Sequence, residues 1–334
     1  MERLQRERKR QDGVDSRTAD GSDGVTEHYS VLLNETIELL DIRDNGIYVD
    51  GTLGRAGHAK AILKKIPNGQ LIAFDKDLEA IKTSESILKP IGTNFTLVHR
   101  GFENLDTVLD ELGVDKIDGM ILDLGVSSPQ FDDGERGFSY RYDAKLDMRM
   151  NQEQELSAYE VVNNYSYQQL VKIFYEYGEE KFAKNIARMI EKRRYEAPIA
   201  TTLQLVDVIK EALPAKVVNA KGHPAKKVFQ AIRIEVNDEL GALRTVLDSA
   251  INRLAPQGRL AVITFHSLED RLVKKTFAAY AKDAKVDKRL PINPQETQKD
   301  YQLINGKPII ASTAELDENK RSHSAKLRVI MKVR

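Results

Sequence analysis

Two stretches of this chain set acids beside residues able to hold a small ligand. In Ile121-Leu-Asp-Leu-Gly-Val-Ser-Ser-Pro-Gln130 an apolar run delivers Asp123 and then breaks into small polar residues and a proline. In Asp50-Gly-Thr-Leu-Gly-Arg-Ala-Gly57 an acid precedes three glycines. The flanks Asp118-Gly119 and Pro129 bound the first run at strand length, so it reads as a buried parallel strand with Asp123 at its C-terminal end. Open α/β sheets bind ligands at that end of their strands.

The glycine spacing narrows the ligand. Gly51, Gly54 and Gly57 recur every third residue, whereas a dinucleotide site wants G-x-G-x-x-G, and no P-loop lysine follows. A looser glycine loop preceded by an acid suits S-adenosylmethionine, and a plain tight turn explains the same residues. Asp75, at the end of the next strand, is placed to accept hydrogen bonds from ribose hydroxyls, a role that nicotinamide sites share.

The surrounding pattern supplies the scaffold. Strands at Ile47–Asp50, Gln70–Phe74, Phe95–His99 and the Asp123 run alternate with helical segments at 59–66 and 77–88, a β-α-β-α-β-α-β order that predicts a doubly wound parallel sheet. From 131 to 236 the signals are helical, with capping boxes at Ser157/Glu160, Ser166/Gln169 and Thr201/Gln204. The α/β pattern resumes with a helix stripe from Leu240 to Leu254, a strand at Arg259–Phe265, a helix capped by Ser267-Leu-Glu-Asp270 and a closing strand at Lys326–Arg334. The expected division is an extension without a repeating apolar face (1–26), a first core part (27–130), a helical insert for substrate (131–236) and a second core part ending in a basic strand (237–334).

Composition removes several functions. There is no Cys, which excludes disulfides, thiolate metal sites and a cysteine nucleophile. No apolar run reaches the length of a membrane span and no N-terminal apolar segment marks a secretory signal, so the cytoplasm is the expected compartment. Lys+Arg and Asp+Glu are both 51, so nucleic-acid binding must come from placement: basic clusters stand at 192–194, at 221–227 with Arg233, and from Lys320 to Arg334.

Seven motifs, in order, resemble one family: Tyr48-Val-Asp-Gly-Thr-Leu-Gly-Arg-Ala-Gly-His58, Asp123-Leu-Gly-Val-Ser-Ser-Pro-Gln130, Arg136-Gly-Phe-Ser139, Leu146-Asp-Met-Arg-Met150, Phe229-Gln-Ala-Ile-Arg-Ile-Glu-Val-Asn-Asp-Glu-Leu240, Phe265-His-Ser-Leu-Glu-Asp-Arg271 and Ser324-Ala-Lys-Leu-Arg328. They look like the bacterial ribosomal RNA small subunit methyltransferase H family, also called MraW, and the likeness runs from about His28 to Arg334. It implies N4-methylation of one cytidine in the decoding region (P-site) of 16S rRNA, with S-adenosylmethionine as donor and no metal, and leaves open whether the substrate is free rRNA or the small ribosomal subunit. The implied fold is a class I, Rossmann-like methyltransferase domain interrupted by a helical domain. The implied cofactor contacts are Ala56, Gly57, His58, Asp75, Phe102, Asp123 and Gln130. Three departures stand out: Ser30 for a usual Pro, Ala56 for a common Gly, and Asn319-Lys-Arg-Ser-His323 for Asn-Pro-Arg-Ala-Arg. Ala56 is tolerable if its φ is negative, and the His58 side chain is free to face solvent while its backbone N–H serves the ligand.

An exocyclic amine is a poor nucleophile that needs acceptors for its N–H groups. Ser127, Ser128 and Pro129 are the expected suppliers, with Asp123 holding the cofactor. Methylation at cytosine C5 uses a cysteine adduct, which this chain cannot form. Arg136, Arg141, Arg149 and Arg233 are the candidates for RNA phosphate contacts, against ordinary ion pairs; His266 is a candidate for substrate contact, against a capping role. The competing readings are a DNA amino-methyltransferase, a nicotinamide dehydrogenase and a ribosome-assembly factor without turnover.

Overall fold

Seven strands, β1 (Ile47–Asp50), β2 (Gln70–Phe74), β3 (Phe95–Val98), β4 (Ile117–Asp123), β5 (Leu254–Thr264), β6 (Tyr301–Leu303) and β7 (Lys326–Lys332), form one sheet in the computed structural model, which describes residues 30–126, 134–282 and 299–334. Their order is β3-β2-β1-β4-β5-β7-β6. Pairing is parallel from β3 through β5 and antiparallel on both sides of β7. This is a mostly parallel, doubly wound Rossmann-like sheet. The expected N-terminal extension (1–26) lies outside the described residues.

Alternation along each strand feeds two cores. Val49, Ile72, Met120, Leu122 and Leu260 point to one face, where α4 (Leu105–Glu111), α11 (Glu239–Arg253) and α12 (Ser267–Tyr280) cover them. Tyr48, Leu71, Ile121, Ala261 and Ile263 point to the other, under α1 (Leu33–Leu40), α2 (Gly57–Leu63) and α3 (Leu78–Leu88). Burial on both faces is why the Asp123 strand reads as a continuous apolar run.

That strand starts earlier than its sequence flanks suggested. Asp118 and Gly119 lie inside β4, because Gly119 pairs with Tyr48 and a Cβ there would come within 2.9 Å of the Tyr48 ring. Here glycine makes room for an aromatic neighbour instead of ending a strand.

Between β4 and β5 lie α5 (Ala158–Asn164), α6 (Tyr167–Glu176), α7 (Ala183–Glu196), α8 (Thr202–Ala212), the short α9 (Ala215–Val218) and α10 (Lys226–Asn237). Their apolar faces make a cluster of their own around Leu170, Phe174, Ile186, Ile190, Leu205 and Ile232. All three expected capping boxes form, at Ser157, Ser166 and Thr201. At the exposed one, Ser166 accepts from the Gln169 N–H while Gln169 Oε1 accepts from the Ser166 N–H at 2.8 Å. Ser166→Ala should therefore cost about 1 kcal/mol and Ser166→Asp should recover most of it. Thermal unfolding checks this, and an unchanged Ser166→Ala midpoint would contradict it.

Three expectations need correction. Residues 137–157 are turns and bends rather than helix, tied down by a bridge between Lys145 and Thr201. Strand β6 was not anticipated, since it has three residues and no repeating pattern. The N-cap of α12 is His266, not Ser267: the imidazole accepts from the Glu269 N–H, and Glu269 returns the bond to the His266 N–H. A ring nitrogen here does the work of the usual hydroxyl. Ser267 turns outward and donates to Glu179 instead.

Candidate active site

The strand order reverses between β1 and β4, and the acids at the C-terminal ends of β1, β2 and β4 meet beside that point. Thr52 staples them together. Its N–H donates to Asp50 Oδ1 at 3.0 Å, and its hydroxyl oxygen accepts from the Asp123 N–H at 2.6 Å. Asp75 is held by two backbone donors, Gly54 N–H on Oδ2 and Asp77 N–H on Oδ1, both at 2.8 Å. The glycine loop thus wraps the second acid. Gly51 is needed because a Cβ would come 2.5 Å from Leu122, and a Cβ on Gly57 would overlap the Ser30 hydroxyl.

Three carboxylates so close together and so dry resist ionisation. Burial pushes Asp50 up to about 7, with Asp75 adding repulsion. Burial likewise pushes Asp75 up to about 6. Asp123 is raised well above the usual carboxylate range, by burial first and then by the charges of Asp50 and Glu269. Asp50 Oδ2 and Asp123 Oδ1 are buried without a hydrogen-bond partner. His58 does not relieve them: burial lowers it to about 4, and its Nδ1 stands 3.8 Å from Asp123 Oδ2.

A ligand that brings positive charge and N–H or O–H donors would satisfy what the fold leaves open here. S-adenosylmethionine fits that demand, with an ammonium and two ribose hydroxyls for Asp75 and Asp123 on the lining to receive, and positive charge to offset the repulsion that buried Asp50 adds. The fit gives a pH dependence. A raised carboxylate pKa means stability that is full below about pH 4 and lost as pH rises through about 6 to 7, because the empty fold prefers the protonated acids. A cationic ligand prefers them ionised. Affinity for S-adenosylmethionine should therefore fall on acidification from pH 8 to pH 5, by up to about tenfold per pH unit for each proton that must leave. Calorimetry in buffers of different ionisation enthalpy should detect that proton release; binding without it would contradict the carboxylate assignment.

The cleft has a volume of about 1080 Å³ and gathers Gly57, His58, Asp75, Phe102 and Asp123 on one lining. Phe102, opening a 3-10 turn after β3, is half-buried and packs against the sheet core while facing the cleft. Ala56 is not on the lining. It is fully buried at φ 59°, so the expected negative φ does not hold; the sharp turn into α2 imposes a left-handed conformation that costs an alanine roughly 1–2 kcal/mol. The His58 side chain, expected to be free for solvent, is buried at 4% exposure because α2 packs it against the Asp123 end of β4. Ser127, Ser128, Pro129 and Gln130 lie outside the described residues.

The opposite wall comes from the helices between β4 and β5 and from the chain end: Tyr140, Phe229, Arg233 and Asn237 on one side, residues 318–324 on another. Asn237 is buried and saturated, donating to the Met148 and Arg233 carbonyls and accepting from the Met150 N–H. It locks α10 to the irregular segment before α5.

Three of the four arginines expected to meet phosphate are engaged internally. Arg136 is buried against Asp77 at 3.0 Å, Arg149 grips Asp147 and the Gln154 carbonyl, and Arg233 makes a bidentate pair with Glu239 at 2.7 and 2.8 Å. Arg149 and Arg233 pair within a few residues of themselves, and for Arg136, buried with Asp77, the pairing is obligatory. Arg141 alone of the four is exposed, on the cleft rim.

Glu269 is the residue that sequence reasoning missed. It is 2% exposed and lines the cleft, and its charge reaches Asp123. Burial pushes its pKa up, but His266 and the Phe265 N–H outweigh that and hold it low. Its signal was the third position of the capping box beginning at His266, hidden by reading Ser267 as the cap. Donor atoms of Glu239, His266 and Glu269 lie within 4.8 Å of one another. Arg233 takes both Glu239 oxygens, so the group is a charge network that stiffens the wall.

Residues 25–333 match the profile of the MraW methylase family. Among solved structures, the chain is similar to an rRNA methylase from Streptococcus thermophilus, at 12% identity and a TM-score of 0.42, covering 92% of this chain and 99% of that one. It is also similar to a SAM-dependent O-methyltransferase from Thermotoga maritima, at 10% identity and a TM-score of 0.38, covering 90% and 64%.

Proposed function

The chain belongs to the MraW methylase family, whose methyl donor is S-adenosylmethionine, and from that premise we propose that it methylates the N4 amine of one cytidine in the decoding region of 16S rRNA. The observation that carries the proposal is the pair of acids Asp75 and Asp123 on the lining of a cleft of about 1080 Å³, with Asp50 buried behind them and an unpartnered buried oxygen on each of Asp50 and Asp123.

Bound S-adenosylmethionine supplies a methyl on a sulfonium, already a good electrophile. The chain's task is then placement. Asp75 takes the ribose hydroxyls, Phe102 offers its ring to the adenine, Gly57 and His58 let the backbone approach, and Asp123 with Gln130 holds the amino-acid end. Ser127, Ser128 and Pro129, which follow Asp123 in sequence after Leu124, Gly125 and Val126, would offer hydroxyls and carbonyls to the target amine. By accepting from its N–H groups they would localise the nitrogen lone pair and, as the N–C bond forms and the donor's C–S bond breaks, pass to solvent the N4 proton that must leave. The helices between β4 and β5, from Ala158 to Asn237, act as the substrate domain and Arg141 reaches phosphate from the rim. The reaction belongs in the cytoplasm, where small subunits are assembled; among the described residues no helix is long and apolar enough to cross a membrane.

The test offers methyl-labelled cofactor with small subunits, naked 16S rRNA and duplex DNA in parallel. Label in the RNA of the first or second supports the reading. Label in DNA alone would replace it with the DNA amino-methyltransferase, and no label in any would leave a factor that binds cofactor without turnover.

A further inference from the structure

Helix α7 carries a row of charges that the cleft does not use. Lys184, Arg188 and Lys192 follow one another at four-residue spacing on its exposed side, and Tyr195 ends the row. Ala183, Ile186, Ala187 and Ile190 fill the opposite side and are buried. At 100° per residue the four exposed side chains fall within an arc of roughly 80°. Arg193 and Arg194 of the same helix are engaged, with Glu211 and with the Val162 carbonyl. Among the described residues, no hydrogen bond or ion pair engages Lys184, Arg188 or Lys192; Glu191, on the same side of the helix between Arg188 and Tyr195, and Glu196 beyond it form no ion pair with the row.

This arrangement works against the helix that bears it. Lys184–Arg188 and Arg188–Lys192 are both like-charge i, i+4 pairs, which weaken a helix. In a chain with zero net charge, three unpaired cations in line are a matter of placement. Tyr195 is 93% exposed, so its ring rests on nothing in the fold.

We propose that this face of α7 is a docking surface for single-stranded or looped RNA, with phosphates on Lys184, Arg188 and Lys192 and an unpaired base stacked on Tyr195. Successive cations stand about 6 Å apart along the axis, the scale of the step between phosphates of an extended strand. An aromatic ring beside a cationic track is how proteins hold unpaired nucleotides. Tyr195 is the row's one apolar group, so the face lacks the continuous apolar stripe with which a helix lies in a lipid surface. The inference rests on the rRNA reading above and adds a contact surface to it.

The test variant is K184A/R188A/K192A, in which alanine favours the helix and so preserves the fold. A labelled single-stranded fragment of the 16S decoding region is titrated at several salt concentrations, with cofactor affinity measured alongside. Three lost phosphate contacts should reduce the slope of log affinity against log salt by about 2 and weaken binding at least about tenfold at low salt. Tyr195→Ala should weaken binding several-fold at unchanged slope, and Tyr195→Phe should restore it. Cofactor affinity should not move. Unchanged RNA affinity and slope in the triple variant, with the native protein binding normally, would overturn the proposal. So would a defect confined to vesicles of anionic lipid. A native protein that binds no RNA at all would instead overturn the rRNA reading itself.

Discussion

Replacing Asp123 with asparagine is expected to weaken S-adenosylmethionine binding about 100-fold while making the empty protein more stable. The two effects share one cause. Asp123 Oδ1 is buried without a partner, and Asp50 and Glu269 both press on its charge. Without a ligand, a neutral amide of the same shape costs the fold less than the carboxylate, as is common where function rather than stability sets the residue. With the ligand, a charge-assisted hydrogen bond worth about 1.5–3 kcal/mol is lost, which corresponds to roughly 10- to 150-fold in affinity. Calorimetry and thermal unfolding on the same preparation read the two effects. An Asp123→Asn protein that binds cofactor normally would remove Asp123 from the site; one that is also less stable would make it structural.

Arg136→Ala is expected to cost the fold about 3–5 kcal/mol, the loss typical of breaking a buried ion pair from one side. Arg136 is 8% exposed, its Nη1 donates to Asp77 Oδ2, and its Nη2 reaches the Arg149 and Met150 carbonyls. Asp77 is itself the N-cap of α3, accepting from the Glu79 N–H, and its own N–H holds Asp75. The guanidinium therefore joins the segment preceding α5 to the acid cluster. A lower midpoint of chemical unfolding, with weaker cofactor binding in the protein that remains folded, is the expected outcome. Unchanged stability with RNA affinity selectively reduced would return Arg136 to the role of a phosphate contact.

Arg136 also shows where sequence reading ran short. Continuous apolar runs exposed the strands because β1, β2 and β4 bury both faces, and each capping box announced a helix start through side chains local to the turn. Asp75 and Asp123 were legible because a strand's end is visible in its own residues. The fate of an arginine is not: Arg136 meets Asp77, 59 positions away, and only folding brings them together. Glu269 stayed hidden for a local reason, since its capping partner is a histidine, an unusual acceptor for that turn. The left-handed Ala56 was obscured because glycine, the residue that normally marks such a conformation, is missing.

The central claim is that this cleft delivers a methyl group to a cytidine amine, and mass spectrometry of nucleosides tests it most directly. Small subunits lacking the modification are incubated with the protein and isotopically labelled S-adenosylmethionine, and the 16S rRNA is digested to nucleosides. One labelled species is expected, N4-methylcytidine, formed by the native protein and strongly reduced with Asp123→Asn. Label on C5 of cytidine, on a ribose oxygen or on another base would contradict it, as would full activity of Asp123→Asn.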